Sequence, residues 1–429
     1  MKNYKIIINE LKNFLLLWLT QSFSTLGSSM TNFALVVWSY EEKGSALTTA
    51  LLTVSSYAPY VLISIFAGAI SDKWSKKSIM LVSDTFAAFC TIIVLFLLKT
   101  ENLEIWHLYI LNALNGLMNT FQQPASDVAV SLLTPKQHYQ KVSGIRTFSN
   151  SLNSILAPII ATALISLTSI DVVIFFDLTT FAIAFLTLLF FIKIPSVPFI
   201  DDKKETILQA AKIGIQYLRK NRGILDLILF LSAINFTASM FNATLPALLL
   251  SVEGGGKTAY GIVNMFSGIA MLIGSIVITL IPAPKSRVRV ICNTLLLSMS
   301  TENFFLAFGK SLPVWCIGAV LGWISIPIMN ANMDVLLRNY VPINIQGRVY
   351  SARNALQFFT IPLGYTLGGI LVDTVFEPFM EKQSSISIFT YLFGSGKGSG
   401  AAMFFLILGF LGVATCLIFR NDSNIWDLE

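Results

Sequence analysis

Charge is scarce in this chain. Of its 429 residues only 12% are Asp, Glu, Lys or Arg, while 55% are hydrophobic. A soluble domain carries about 25% charged residues, so this composition excludes a water-soluble globule and makes lipid the solvent for most of the chain. Histidine is scarcer still: His107 and His138 stand far apart. The four cysteines, Cys90, Cys292, Cys316 and Cys416, all fall inside apolar runs without metal-ligand spacing. They read as packed thiols, and neither a metal nor a cofactor is expected. Apolar–polar alternation over about ten positions is also missing, which argues against a membrane barrel. No short apolar core followed by small residues marks a cleavable signal peptide.

Long apolar runs dominate instead. A spanning helix needs about 20 mostly apolar residues, and twelve such runs occur: 13–39, 46–70, 78–98, 104–133, 142–168, 171–192, 223–250, 258–282, 288–309, 312–337, 345–375 and 401–419. The expected fold is an all-α membrane protein with twelve transmembrane helices in two pseudo-symmetric six-helix bundles. With the N-terminus inside, the outer connections hold Lys43, Lys99, Lys257, Lys310, Lys382 and Lys397, and the other 23 of the 29 basic residues fall inside. That asymmetry places both termini in the cytoplasm. The net charge of +6 then reflects membrane topology, and no nucleic-acid partner is expected.

The longest inner connection divides the chain. Within it Ile207, Leu208, Ala211, Ile215 and Leu218 recur at helical spacing, so residues 194–222 read as a cytoplasmic amphipathic linker. It joins an N-terminal six-helix bundle, 1–193, to a C-terminal one, 223–429. The halves share residues at a constant offset: Pro135 with Pro342, Lys141 with Arg348, Arg146 with Arg353, Asp127 with Asp334. "SMTNFAL" and "SMFNATL" match near the first helix of each half. Repeats of this kind place a substrate site at their interface.

Between the second and third runs stands "GAISDKWSKK". It resembles the signature of the major facilitator superfamily, with Gly68, Asp72, Lys73, Lys76 and Lys77 in place and Ser75 where the second glycine is usual. "VPINIQGRVYSARNALQFFTIPLGYTLGGILVD" and "ILQAAKIGIQYLRKNRGIL" resemble the macrolide-efflux-type branch of drug exporters. The resemblance covers essentially the whole chain. It implies alternating access, helices three, six, nine and twelve at the periphery, and proton-driven export of small amphipathic molecules. Two departures stand out. The second half's copy, "IPAPKSRVR", lacks the aspartate, and the fifth run keeps Pro158 in "LAPIIATA" without the glycines many antiporters carry there.

The resemblance also makes Asp72 a latch of an inner gate, with Arg353 as a partner. Gly68, Lys73, Lys76, Lys77 and Arg348 flank that gate, and Asp127–Arg146 and Asp334–Arg353 are candidate pairs across inner turns. Lys76 and Lys77 alone would equally satisfy the positive-inside pattern. Amides facing lipid are costly, so the substrate cavity is expected to be lined by Asn32, Asn112, Asn115, Asn119, Gln122, Asn235, Asn242, Asn330 and Gln357, with Tyr57 and Tyr60. Asn112, Asn115 and Asn119 share one helical face. Interhelical hydrogen bonding is the competing role for any single amide. Acids within spans are Asp84, Asp177, Asp226 and Glu302. Asp177 and Glu302 are the proton-coupling candidates, against helix capping or buried hydrogen bonding; Asp84 and Asp226 lie near inner ends.

"SVEGGGKT" (251–258) imitates a phosphate loop, but Ser251 replaces the first glycine and no strand precedes it. A loop is expected there. The expected partners are a small-molecule substrate, membrane lipid and protons, with the chain acting as a monomer at the cell membrane. An importer or exporter of another small solute or a siderophore remains open, as do a membrane receptor or sensor and a lipid-modifying enzyme. Two separated histidines and the lack of a large soluble domain weigh against the last two.

Overall fold

The structure is a computed structural model that describes residues 10–135, 138–195, 207–282, 284–341, 346–384 and 386–428. Within its helices, the side chains at 64–73, 124, 139–141, 143, 144, 147, 207–212, 279, 338, 346–348, 350 and 351 lie outside the description. Every regular element among the described residues is helical. This follows from the composition: in hydrocarbon each backbone N–H and C=O must find its partner within the same segment.

The first half contains α1 (Lys12–Lys43), α2 (Ala46–Lys73), α3 (Lys76–Lys99), α4 (Ile105–Leu133), α5 (Tyr139–Leu167) and α6 (Ile170–Phe190). Next comes the amphipathic α7 (Ile207–Lys220). The second half opens with α8 (Arg222–Ser251), α9 (Lys257–Leu280) and α10 (Arg287–Phe308). The tenth run is split into α11 (Leu312–Trp323) and α12 (Ile326–Tyr340). The eleventh is split into α13 (Gln346–Phe358), α14 (Thr360–Leu371), a π-turn (Val372–Phe376) and α15 (Glu377–Glu381). It therefore runs past residue 375, where the sequence pattern ends it. A short α16 (Ile388–Phe393), α17 (Ser399–Arg420) and α18 (Ser423–Trp426) complete the chain.

Ten of these segments are long and apolar enough to cross a membrane. Of the twelve expected spans, α1 and α4 fall short by composition although they are 32 and 29 residues long. α1 carries Gln21, Ser28, Thr31 and Asn32, and α4 carries its amide row. Such helices can sit in lipid only if their polar faces turn toward other helices or water.

The chain divides into two compact units. Unit 1 comprises Met1–Leu35 and Ser55–Lys204; unit 2 comprises Val36–Val54 and Glu205–Glu429. In unit 1, Leu17, Ile79, Met80, Ala125, Ala129, Leu188 and Ile192 join α1, α3, α4 and the end of α6. Further along α1, Leu26, Met30 and Ala34 pack on Ala157, Ala161 and Val173 of α5 and α6. In unit 2 a larger core is built from α8, α10, α12, α13 and α17, and Leu218 of α7 and Ile425 of α18 are buried in it. Leu218 and Tyr217 of α7 thus pack on their own bundle, where α7 lies against α13, and the Tyr217 hydroxyl donates to the Tyr340 carbonyl at 2.7 Å, while Ile215 is exposed.

In each unit a glycine lets the second and fourth spans of its half meet backbone to backbone. Gly116 of α4 lies so close to α2 that a Cβ there would stand 2.0 Å from the Ser56 carbonyl oxygen. Gly274 of α9 approaches the Ile324 carbonyl, between α11 and α12, as closely: a Cβ would stand 2.1 Å away. In both halves the second and fourth spans close on a glycine, but the glycine sits on opposite partners.

Candidate functional site

Three helices of unit 1 converge on one carboxylate. Asp84 of α3 accepts from Gln21 Nε2 of α1 at 3.2 Å and from Gln122 Nε2 of α4. Gln122 extends the row Asn112, Asn115, Asn119 by one more helical step, so the amide row ends on an acid. No salt bridge to Asp84 occurs among the described residues. One turn pair further along α1, the Ser28 hydroxyl donates to Asp177 Oδ1 of α6 at 3.0 Å, and Thr31 lies beside the same carboxylate. Asp177 is buried. α1 is therefore tied by its polar face to two acids from neighbouring helices. Asp177 was legible as an intramembrane acid. Asp84 looks like a terminal residue in the sequence, and only the meeting of α1, α3 and α4 makes it part of a cluster.

Along α4, Asn112 and Asn115 are half-buried and Asn119 is exposed. The Asn115 side-chain oxygen is buried and accepts no hydrogen bond among the described residues. Asn32 is exposed, as is Tyr57, while Tyr60 and Gln122 are half-buried. In unit 2, Asn330 is exposed and Asn235 and Asn242 are half-buried. Asn235 Nδ2 donates to the Gln357 carbonyl at 3.1 Å, joining α8 to α13, and Asn242 Nδ2 donates to Ala238 of its own helix at 2.9 Å. Gln357 is buried. Its Oε1 accepts from Arg353 Nε at 3.0 Å, so it positions an arginine within its own helix.

Glu302 of α10 is also buried. Its Oε1 accepts from Trp323 Nε1 of α11 at 2.8 Å. Gly322 leaves room for the carboxyl: a Cβ there would meet Glu302 Oε2 at 2.2 Å. Sequence reading gives an acid on a peripheral helix. The structure gives that acid an indole partner on the next one.

At the turns read as internal, Gly68, Asp72, Lys73 and Arg348 have side chains outside the described residues, as does Lys141. Lys77 does more than supply charge. Its Nζ donates to the Leu189 and Ile192 carbonyls at 2.9 and 2.8 Å, capping the end of α6, where the helix dipole favours a cation. Ser75, the departure from the signature's glycine, caps α3 by accepting from the Ser78 N–H at 3.1 Å. Arg146 pairs with Asp127 at 2.6 Å, and Arg353 with Asp334 at a longer 3.7 Å. Each pair joins neighbouring helices of its own unit. Asp226 accepts from Asn424 Nδ2 at 2.8 Å, tying α8 to α18.

At the opposite ends of the helices the residue pattern points to no site. There Asp373 of the π-turn accepts from Ser45 Oγ at 2.5 Å and from the Ala46 and Leu47 amides at 2.9 Å each. Tyr40 donates to the Ala247 carbonyl at 3.2 Å and shares a 2.7 Å hydrogen bond with Ser251. Lys257 pairs with Glu41 at 3.0 Å. "SVEGGGKT" follows the helix α8, and Gly254 and Gly256 take positive φ in it. It is a helix-to-helix loop and no phosphate cradle.

Apolar rows facing outward on α3 (Val82, Phe89, Phe96), α6 (Phe175, Ile183, Phe190) and α17 (Phe410, Leu417, Ile418) define a multi-pass helical protein of the lipid bilayer, with its intramembrane acids bonded to neighbouring helices. The sequence profile of the Major Facilitator Superfamily matches residues 17–298, and the chain belongs to that superfamily. It is 22% identical over 369 residues to macrolide efflux protein A of Streptococcus pyogenes, covering 84% of this chain and 90% of that one. It is likewise 22% identical over 385 residues to the uncharacterized MFS-type transporter YfiS of Bacillus subtilis (strain 168), covering 86% and 89%. Crystal structures share the fold: a mutant of the nucleoside transporter NupG superposes with a TM-score of 0.72 at 14% identity, covering 95% of this chain and 98% of that one. A bacterial homologue of the human lysosomal transporter Spinster, inward-facing and unoccupied, gives 0.69 at 13% identity, covering 98% of both. The protein is a membrane transporter and not an enzyme.

Proposed function

We propose that this transporter exports small amphipathic molecules of the macrolide or a similar drug-like class by alternating access, with protons moving the other way. The observation that carries the reading is the α4 row. Asn112, Asn115, Asn119 and Gln122 form a polar strip along α4, and the strip ends on Asp84. Polar groups combined with aromatic residues such as Tyr57 and Tyr60 suit molecules that are greasy on one side and hydrogen-bonding on the other. Relatives named for macrolide efflux along most of the chain's length support the direction. Asn32, Asn235, Asn242 and Asn330 complete the proposed lining, and Gln357 contributes through Arg353. We assign the proton to a carboxylate within the spans, Asp177 or Glu302, where a charged acid is costly unless neutralised. The inner gate comprises Gly68, Asp72, Lys73, Lys76, Lys77 and Arg348 with the Asp127–Arg146 and Asp334–Arg353 pairs. Both termini face the cytoplasm, and the halves 1–193 and 223–429 act as the two moving bundles of a monomer.

The test is accumulation of a macrolide in everted vesicles under an imposed pH gradient, with and without the protein. Uptake that needs both the protein and the gradient is the expected result. Uptake indifferent to the gradient removes the proton. No uptake, with a nucleoside or siderophore transported instead, replaces the substrate class.

A further inference from the structure

Two helices of this chain each belong to both compact units. α1 is in unit 1 up to Leu35 and in unit 2 from Val36; α2 is in unit 2 up to Val54 and in unit 1 from Ser55. Neither junction falls at a helix break. A continuous helix moves as a rod, so if unit 1 changes position during transport, the contacts of Val36–Val54 inside unit 2 must part. Those contacts include apolar ones at Val37, Ala46, Ala50 and Leu52, which are buried, and a set of hydrogen bonds. The first three amides of α2 are satisfied without water: Asp373 takes the Ala46 and Leu47 N–H groups, and Ser45 takes that of Thr48 at 3.0 Å. The Ser45 hydroxyl in turn donates to Asp373. A carboxylate from the eleventh span thus caps the second, meeting both the free donors and the positive end of the helix dipole.

The local backbone is arranged for this contact. Asp373 lies in the five-residue π-turn Val372–Phe376, and an inserted π-turn rotates a side chain away from the face an unbroken α-helix would give it, often at functional positions. One turn earlier Gly369 touches the start of α2, where a Cβ would stand 2.6 Å from the Leu47 Cα. Glu377, one turn later, accepts from the Gly398 and Ala401 amides at 3.1 and 3.0 Å and so holds the π-turn against α17. Tyr40 with Ser251, and Glu41 with Lys257, fasten the end of α1 beside it.

We propose that Asp373 is the positioning residue of an outer latch: its cap on α2 holds the external end of the transporter shut and is released once in every transport cycle. The proposal rests on the transport reading above and on the orientation that puts the α1–α2 turn outside. Hydrogen bonds suit the task, because water can replace each of them when the ends part, so the net cost of breaking one is small.

The test uses the full chain in membranes with Cys90, Cys292, Cys316 and Cys416 replaced by Ala. Ser45→Cys with Asp373→Cys places two thiols at the latch. Oxidation is expected to cross-link them and to cut macrolide efflux at least tenfold, and reduction to restore it. A second arm needs no substrate: Asn32→Cys is labelled from outside intact cells by a membrane-impermeant maleimide. Labelling is expected to quicken several-fold when Asp373→Ala is added and to stop when the latch is cross-linked. Cross-linked protein that exports at the reduced rate shows the contact to be permanent and overturns the proposal. So does failure to cross-link, or Asn32→Cys labelling that ignores Asp373→Ala. Parent protein that moves no macrolide but whose labelling follows the latch refutes the substrate class alone.

Discussion

Replacing Gly116 by alanine tests whether the α2–α4 seam is as tight as the backbone implies. An alanine Cβ would stand 2.0 Å from the Ser56 carbonyl oxygen and 2.8 Å from its carbon. A carbon beside a carbonyl oxygen settles near 3.3 Å or beyond, so the two helices must part by about 1.3 Å along that line. The obstacle is backbone at the middle of a helix and cannot rotate aside. Overpacking of this kind costs about 1–3 kcal/mol, while alanine's better helix propensity returns about 1 kcal/mol. The expected net loss is therefore up to about 2 kcal/mol, together with a displaced amide row, because Asn115 and Asn119 ride on the same helix. The four buried cysteines supply the assay: a thiol-reactive dye reports unfolding as it exposes them. The expected result is a lower midpoint for Gly116→Ala, an equal fall for Gly274→Ala, whose Cβ would stand 2.1 Å from the Ile324 oxygen, and weakened drug binding in the first variant. An unchanged midpoint in both would refute the close-contact reasoning.

Two further outcomes follow from contacts described above. Glu302→Gln keeps an oxygen for the Trp323 indole and is expected to leave the dye-monitored midpoint within about 1 kcal/mol of the parent, whereas Glu302→Ala strands that N–H at about 1–3 kcal/mol; loss of gradient-driven uptake in a well-folded Glu302→Gln would assign the proton to this acid. Asp127→Asn removes a half-exposed ion pair with Arg146 and is expected to cost under about 1 kcal/mol of stability. A tenfold fall in transport at that small cost marks the pair as a gate, and unchanged transport marks it as a static brace.

Much of this architecture was legible before any coordinates. Run length and the scarcity of charge located the spans, because hydrocarbon tolerates few other sequences. The asparagine face of α4 was legible because 3.6-residue periodicity needs no partner to be seen. Asp373 was not, because nothing in "GGILVDTVFEPF" signals a π-turn or the helix end that it caps. Asp84 was passed over for a similar reason: its role depends on Gln21 and Gln122, far from it in the chain. Gln357 has the residue type and register of a lining amide; only the structure adds that it is buried and that its Oε1 accepts from Arg353.

The sequence by itself determined that this chain lives in lipid, crosses it many times and carries a polar strip through the fourth span. These are local properties, set by transfer free energies that each segment pays alone. Only the tertiary structure decided which acids meet which amides, where Gly116 and Gly274 let backbones touch, and that α1 and α2 change company partway along. Such contacts join residues 38 to 328 positions apart, and their energy exists only once the helices have packed.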